Sequence, residues 1–327
     1  MRAYVVGNAA LDETFRVRAL PASGESVVAR GASRDVGGKG ANQAILLARC
    51  GVPTLFVTAL GTDAQGRAIA DALAKEPVEV RVLRRERLAT DRSIVTLCAD
   101  GSSTIVTTTG CARSIGPDEA IAALRTARGS AGAGQRGRDG PNPGDWLVLQ
   151  GNLTPATTAR LLEWAVATGM RSAFNPSPHA PELDTLTAHA DCVFVNEMEA
   201  AALTGRSGKA AALAVPVRDG GTVVMTRGGS DVIVARAGRV ARVAVPAAPV
   251  VDPTGAGDTL QAVALAGAML GKGTVDRSCL PPAIAAAALT VSRPGALASF
   301  PGTEALRGLL GRTNDTNPAR GHDGQSE

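Results

Sequence analysis

Strand-like apolar runs alternate along the chain with helical segments, and short connections join them. The apolar runs predict strands at residues 3–7, 54–59, 78–83, 146–150, 172–175, 193–196 and 223–226. The helical segments lie at residues 40–50, 65–75, 155–168 and 197–203. Because strands that alternate with helices form parallel sheets covered on both faces, the pattern predicts an α/β fold with a mostly parallel central sheet.

Small and polar residues stand where these predicted strands end. Ligands of open α/β sheets bind beyond the carboxyl ends of the strands. We therefore expect the binding edge of the sheet to include Gly7, Gly61, Gln150, Asn175, Asn196 and Thr226.

A second, smaller sheet is predicted outside this alternation. Residues 93–99 and 103–109 are β-rich arms joined by Asp100-Gly101, a strong signal for a hairpin. Together with the extended stretch at 14–33, these arms predict a small β-sheet lid drawn from about residues 12–36 and 92–110.

Two segments are predicted to lie outside regular structure. Residues 129–144 are a low-complexity stretch without apolar positions to bury, which predicts an inserted flexible loop. The stretch contains a literal GxGxxG at 132–137, but no strand precedes it and no helix follows, so we reject a dinucleotide site there. The polar tail at 312–327 is predicted to be disordered, which leaves one domain over residues 1–311.

The composition of the chain argues against a membrane-spanning protein and against a nucleic-acid-binding protein. The 327 residues are 45% hydrophobic and 20% charged, as in globular proteins, and no apolar run is long enough to span a bilayer. A net charge of +4 without a basic cluster, and few aromatic residues, argue against nucleic-acid binding. The chain enters a strand without a leader pattern, and its five cysteines are scattered. We therefore expect reduced, buried thiols and a cytoplasmic location.

The sequence Asp-Pro-Thr-Gly-Ala-Gly-Asp at 252–258 precedes an apolar helical stretch. The first N–H groups of a helix lack intrahelical partners and lie at its positive end, so the amides of Gly255, Ala256 and Gly257 are expected to face an anion. The carboxylate of Asp258 beside such a site suggests a base for phosphoryl transfer. The alternative is that Asp258 is an ordinary N-cap.

A second motif, Gly-Gly-Lys-Gly-Ala-Asn-Gln-Ala at 37–44, opens another apolar helix. The pair of motifs resembles the ribokinase family of sugar kinases, also called the PfkB family. Further motifs of that family follow in order over nearly the whole chain: Tyr4–Gly7 with Asp12, Asn196–Glu199, Val223–Gly229 and Ser292–Ser299. The resemblance implies a ribokinase-like three-layer α/β/α fold with a lid that covers the sugar and often pairs with its copy in a homodimer.

The resemblance also implies the roles of individual residues. Asp258 is expected to act as base toward the sugar hydroxyl, with the Gly255–Gly257 amides on the transferring phosphoryl group; no Walker-type loop is present. The expected sugar contacts are Asp12, Gly38, Lys39, Asn42, Asn152 and Asp258. The expected ATP contacts are Asn196, Thr226, Gly228 and Gly257.

Two cations are expected with ATP. Asn196 and Glu199 are candidate water-mediated ligands of Mg²⁺, and the alternative is that they form a capping box. Asp252, Thr254, Gly295 and Ser299 are candidate oxygen donors to an activating K⁺, with local support for Asp252, whose charge a cation would offset. His179, His189 and His322 have no ligand spacing and are expected to be structural or surface residues.

The sequence therefore predicts an ATP-dependent sugar kinase that phosphorylates a primary hydroxyl of ribose or a related pentose. Two positions depart from the ribokinase pattern: Ala10 replaces an asparagine and Asn152 replaces a glutamate, which leaves the sugar open. The alternatives are a kinase of a ketohexose, a keto-deoxy sugar acid or a nucleoside, and a non-catalytic sugar-binding regulator. The shortage of aromatic residues weakens the nucleoside alternative.

Overall fold

The computed structural model of the protein describes residues 1–98, 102–126 and 140–311. The predicted Asp100-Gly101 turn, the GxGxxG segment, most of the predicted loop at 129–144 and the tail at 312–327 lie outside the described residues.

The chain folds into strands and helices in the following order. The strands are β1 (Ala3–Val6), β2 (Ala10–Val17), β3 (Gly31–Gly37), β4 (Thr54–Gly61), β5 (Glu79–Arg85), β6 (Arg92–Cys98), β7 (Ser103–Thr107), β8 (Trp146–Gln150), β9 (Arg171–Asn175), β10 (Cys192–Asn196), β11 (Thr222–Thr226), β12 (Val232–Arg236) and β13 (Arg239–Val243). The helices are α1 (Lys39–Arg49), α2 (Ala64–Leu73), α3 (Gly110–Arg113), α4 (Pro117–Arg125), α5 (Pro155–Ala167), α6 (Glu197–Thr204), α7 (Gly208–Ala214), α8 (Ala256–Leu270), α9 (Leu280–Val291) and α10 (Thr303–Gly311).

Among the described residues, nine strands form the central sheet in the order β13-β12-β11-β10-β9-β8-β1-β4-β5. The strands from β11 to β5 are parallel, as predicted. The chain runs outward in one direction from β1 through β4 to β5, then in the other from β8 through β11. The strand order therefore reverses between β1 and β8, the position at which open α/β sheets bind ligands.

The antiparallel pair β12–β13 was not predicted. It extends the sheet beyond β11 through a two-residue turn in which Ala237 and Gly238 have φ of 47° and 72°. Such turns usually carry asparagine, aspartate or glycine at the first position, so alanine gave no signal there.

Helices cover both faces of the sheet and complete the three layers. The strands β1, β4 and β8 are buried along their whole length, which explains their continuous apolar sequences. One core cluster packs α1, α2, α8 and α9 on one face, and the other packs α4, α5 and α7 on the opposite face. The five cysteines are free and buried, as expected. Within the described residues, no helix has the length and apolarity needed to cross a membrane.

The predicted lid is a four-stranded sheet in the order β3-β2-β6-β7. The predicted extended stretch at 14–33 forms strand only at its two ends, where it belongs to β2 and β3. Phe15, Ile94 and Val106 are partly exposed on the lid, and Ile94 and Val106 lie directly opposite each other.

Candidate active site

The turn at 252–258 leads into helix α8 as expected, but Asp258 is not the residue that caps the helix. The N-cap is Gly255, at φ 78°, and Asp258 is the third residue of the helix, so the interpretation of Asp258 as N-cap is wrong. A Cβ on Gly255 would lie 2.6 Å from the ring of Phe300. The N–H of Ala256 donates to Pro253 O at 3.3 Å, so this amide already has a partner.

Asp258 is buried and held by the first turn of α1. Asn42 Nδ2 donates to Asp258 Oδ2 at 2.8 Å, and Gln43 Nε2 donates to Oδ1 at 2.9 Å. The two motifs that the sequence singled out therefore meet through side chains more than two hundred positions apart. Both contacts come from N–H donors, so each carboxylate oxygen of Asp258 accepts a hydrogen bond from α1.

A chain of buried amides behind Asp258 was missed by the sequence analysis. Gln43 Oε1 accepts from Gln150 Nε2 at 2.7 Å and from Gln261 Nε2 at 3.2 Å. These donors fix the orientation of the Gln43 amide, so its N–H group must face Asp258. The available signal was a glutamine that follows Asn42 at the start of an otherwise apolar helix.

Replacing Gln43 with leucine is expected to lower both activity and stability. The variant leaves Gln150 Nε2 and one oxygen of Asp258 without their buried partners, which costs about 1–3 kcal/mol of unfolding free energy. We expect kcat to fall roughly tenfold to a hundredfold, since a misplaced base lowers the rate. Turnover and thermal unfolding measure the two effects. Unchanged kcat in a folded variant would contradict a positioning role for Gln43.

The glycines of the second motif allow α1 to approach the segment after β1. Gly38 is the N-cap of α1 at φ 92°, and a Cβ there would lie 2.9 Å from Ala10 N. The Gly40 N–H donates to Asn8 Oδ1 at 3.3 Å. Asn8 is buried and was not among the predicted residues. Lys39 is half-buried at the first position of the helix.

Several predicted sugar contacts carry a buried side-chain oxygen atom without a hydrogen-bond partner. These atoms are Asp12 Oδ1, Asn42 Oδ1 and Asn152 Oδ1, and Gln150 Oε1, which faces Gly7, is a fourth such atom. The contact with Asp258 fixes the Asn42 amide so that its oxygen is the free atom. All of these atoms are acceptors, and a buried acceptor without a partner is costly. The arrangement is therefore complementary to a ligand with several hydroxyl donors.

Burial raises the pKa of Asp12 from 3.8 to about 6, and the nearby carboxylates of Asp35 and Asp258 add to the shift. Hydroxyl donors favour the ionised form, so protonation below this pKa removes an acceptor. We expect sugar affinity to fall as the pH drops through 6, by up to about tenfold per pH unit, because one proton must be lost on binding. The contribution of Asp12 to stability has the opposite trend and falls as the pH rises from 3.8 to about 6.

Calorimetric titration with sugar between pH 5 and 8 tests this dependence, with Asp12→Asn as the matched control. The variant is expected to bind more weakly at pH 8 and to show no break near pH 6. A break of equal size in both proteins would assign the titration to another group.

An apolar cleft borders the N-terminus of α8. Its volume is about 550 Å³, and Ala256 and Gly257 are among the residues that line it. Thr226 and Gly228, both predicted to contact ATP, line the cleft together with the aliphatic residues Val232, Val245, Val250, Leu260 and Ile284. A planar apolar group in this cleft would place an attached phosphate chain near the start of α8.

The two candidate Mg²⁺ ligands, Asn196 and Glu199, form the capping box that was the alternative to metal binding. Asn196 Oδ1 accepts from the Glu199 N–H, and Glu199 Oε2 accepts from the Asn196 N–H, each at 2.8 Å. This is a capping box at the start of α6. No group of three or more His, Cys, Asp or Glu side chains that could hold a metal ion occurs in the described ranges.

Asp252 is fully buried, and two of the other residues predicted to bind K⁺ contact it. Its Oδ1 accepts from the Thr254 N–H and its Oδ2 from the Gly295 N–H, each at 3.0 Å. Ser299 is also buried, and its hydroxyl donates to Ala296 O. Asp252 therefore joins the turn before α8 to the loop at 292–299.

Two of the three histidines, which were expected to be structural or surface residues, lie at exposed positions. His179 is exposed and lies 2.9 Å from Asp184, and His189 is exposed at the end of a 3₁₀ turn. His322 lies outside the described residues.

Comparisons with known proteins show which family and fold the chain resembles. The model of the pfkB family of carbohydrate kinases matches residues 3–302. The chain is 31% identical over 318 residues to a ribokinase of Arabidopsis thaliana, covering 94% of this chain and 80% of that protein. It is 26% identical over 305 residues to a ribokinase of Haemophilus influenzae, covering 91% and 94%.

Solved structures show the same fold. The structure of Arabidopsis thaliana ribokinase complexed with ribose and ATP has a TM-score of 0.74 at 27% identity, covering 94% of this chain and 98% of that one. Ribokinase from Giardia lamblia has a TM-score of 0.79 at 21% identity, covering 95% and 98%, which supports the fold alone. The predicted ribokinase-like fold is thereby confirmed, and the chain belongs to the pfkB family of carbohydrate kinases.

Proposed function

We propose that this carbohydrate kinase transfers the γ-phosphoryl group of ATP to a primary hydroxyl of ribose or a related neutral pentose. The observation that carries the proposal is the set of buried acceptor oxygens without partners on Asp12, Asn42 and Asn152, together with the contact of Asn42 with Asp258. A sugar supplies hydroxyl donors to these acceptors and holds one further hydroxyl at the start of α8. The ribokinase relatives support ribose as the first sugar to test.

The chemistry follows from the two sides of the α8 N-terminus. Asp258 accepts the proton of the sugar hydroxyl while the hydroxyl oxygen of the sugar forms a bond to the γ-phosphorus. The bond between the γ-phosphorus and the bridging oxygen of ATP breaks, and ADP leaves with that oxygen. The amides of Gly255 and Gly257, at the positive end of the helix, stabilise the charge on the transferring group. The apolar cleft is assigned to the adenine of ATP.

The acidic residues of the proposed site also favour neutral sugars over sugar acids, which are one of the alternative substrates. A keto-deoxy sugar acid would bring a carboxylate next to Asp12 and Asp258, both of them acidic and buried. Lys39 is the one basic residue among the proposed sugar contacts. Since like charges at short distance disfavour binding, we expect neutral sugars to bind more tightly than sugar acids.

Both expected cations suit the oxygen chemistry around the site. Asn196 and Glu199 would hold Mg²⁺ through water, and the ion would supply positive charge to offset that of the ATP phosphates. Glu199 Oε1 is not used by the capping box and is available for such a contact. A K⁺ ion would be held by Asp252 with oxygens of Thr254, Gly295 and Ser299, where a buried carboxylate favours a cation.

The lid is proposed to cover the sugar and to pair with the lid of a second copy. The exposed Phe15, Ile94 and Val106 support this pairing, because they place apolar surface on the sheet. Five buried free cysteines support a reducing, cytoplasmic environment.

The test is ADP release by the purified protein with Mg²⁺ and K⁺ across ribose, 2-deoxyribose, ketohexoses, sugar acids and nucleosides. We expect turnover with a neutral sugar and the highest kcat/KM with a pentose. Preference for a sugar acid or a nucleoside would replace the proposed substrate. Sugar binding by calorimetry without any turnover would favour the non-catalytic regulator.

A further inference from the structure

An arginine of the lid lies beside the buried carboxylate of Asp252. Arg16, on β2, places its Nη2 atom 3.9 Å from Asp252 Oδ2. The Asp252 side chain is 0% exposed, whereas that of Arg16 is 37% exposed. Within the part of the chain that the structure describes, Arg16 is the basic side chain that forms an ion pair with Asp252.

This charge matters because Asp252 precedes the turn proposed to hold phosphate. The two N–H groups on Asp252 are dipoles and do not cancel its full negative charge. A buried carboxylate without a counter-charge repels an anion at Gly255 more strongly than an exposed one, since the interior screens charge weakly. The guanidinium of Arg16 offsets that charge, so phosphate binding depends on where Arg16 lies.

The position of Arg16 is set by the lid that carries the sugar contact. Side chains alternate along a strand, so Asp12 and Arg16, four residues apart on β2, point to the same face. Asp35 is directly opposite Asp12 on β3, and its Oδ2 accepts the Ala298 N–H at 2.9 Å. Two neighbouring lid strands therefore contact the Asp252 turn and the 292–299 loop, and one of them, β2, carries the proposed sugar contact Asp12.

We propose that Arg16 is a positioning residue that couples sugar binding to phosphate binding. The inference rests on the proposed function. Sugar seated on Asp12 holds β2 in place and thereby holds the Arg16 guanidinium beside Asp252. The turn at Gly255–Gly257 then binds the ATP phosphates more tightly. Without sugar, the half-exposed arginine is free to leave for solvent, and Asp252 opposes the phosphate.

The experiment measures the affinity for a non-hydrolysable ATP analogue with Mg²⁺, in the absence and presence of saturating ribose. Choline chloride replaces K⁺ so that no second cation neutralises Asp252. We expect ribose to tighten the analogue at least fivefold in the wild-type protein. Arg16→Met is expected to lose most of that factor, and Arg16→Lys, which keeps the charge, to retain a larger part of it. Thermal unfolding checks that each variant is folded.

Arg18→Gln is the matched control, because Arg18 is an exposed arginine two residues further along the lid. It is expected to keep the wild-type factor. The proposal is overturned if the wild-type protein shows no coupling, if Arg16→Met keeps it, or if Met and Lys lose it equally. Failure of the proposed function is a separate result, namely the absence of wild-type turnover with any sugar in the panel.

Discussion

Asp258→Asn is expected to reduce kcat by about a thousandfold while leaving the protein folded, because general base catalysis contributes roughly 10²–10⁴ in rate. The substitution preserves shape but removes the proton acceptor. An asparagine also cannot accept from both Asn42 Nδ2 and Gln43 Nε2, so one of these buried donors loses its partner. We expect an accompanying stability loss of about 1–3 kcal/mol. Single-turnover transfer from ATP measures the chemical step directly.

Asp63→Asn is the control for this variant. Asp63 caps α2 by accepting the Gly66 N–H at 2.7 Å, and it also accepts from the N–H and the hydroxyl of Thr90, none of which is a proposed sugar contact. This variant is expected to lose some stability and to keep kcat. Sugar binding by calorimetry should persist in Asp258→Asn, though weakened. An Asp258→Asn protein with more than a tenth of wild-type kcat would rule out Asp258 as the base.

Gly255→Ala is expected to have the second-largest effect. The residue has φ 78°, which alanine adopts at a cost of about 1–2 kcal/mol. The new Cβ would also lie 2.6 Å from the buried ring of Phe300, so either the ring or the turn must move. Displacement of one amide from an anion site costs about 10²–10³ in rate, and we expect kcat to fall by roughly a hundredfold. The affinity for ATP should weaken as well.

Gly302→Ala provides the matched glycine control, since a Cβ at that position meets no atom within 4 Å. It is expected to leave both kcat and stability near the wild-type values. If Gly255→Ala retained full activity, the turn would not be the phosphate site that the proposal requires.

Local sequence signals predicted much of the fold. The buried parallel strands have continuous apolar sequences, and their bounds agree with the prediction to within about two residues. The turn at 252–258 and the start of α1 were recognised because each combines glycines with a following apolar helix. In both, the positive φ of Gly38 and Gly255 provides the physical reason for the glycine.

The interactions that the sequence did not predict join distant positions. Gln43, Gln150 and Gln261 meet in one buried network although more than a hundred positions separate their elements. Each looks alone like an ordinary polar residue, and only the packing of α1 and α8 against β8 brings the amides together. Arg16 and Asp252 are a second such pair, because Arg16 lies on strand β2 of the lid and Asp252 lies in the turn before α8. Pairing of this kind depends on topology, for which a local pattern carries no signal.

The fate of the γ-phosphoryl group shows directly whether the protein transfers phosphate to a sugar. The purified protein would be incubated with Mg²⁺, K⁺, ATP labelled at the γ-position and either ribose or, in parallel, each other neutral sugar, and the products would be separated and identified. We expect the label to appear on the primary hydroxyl of the sugar at the same rate as ADP is released. Label that stays in ATP with every neutral sugar, or that is released as inorganic phosphate at the same rate with and without sugar, would contradict it.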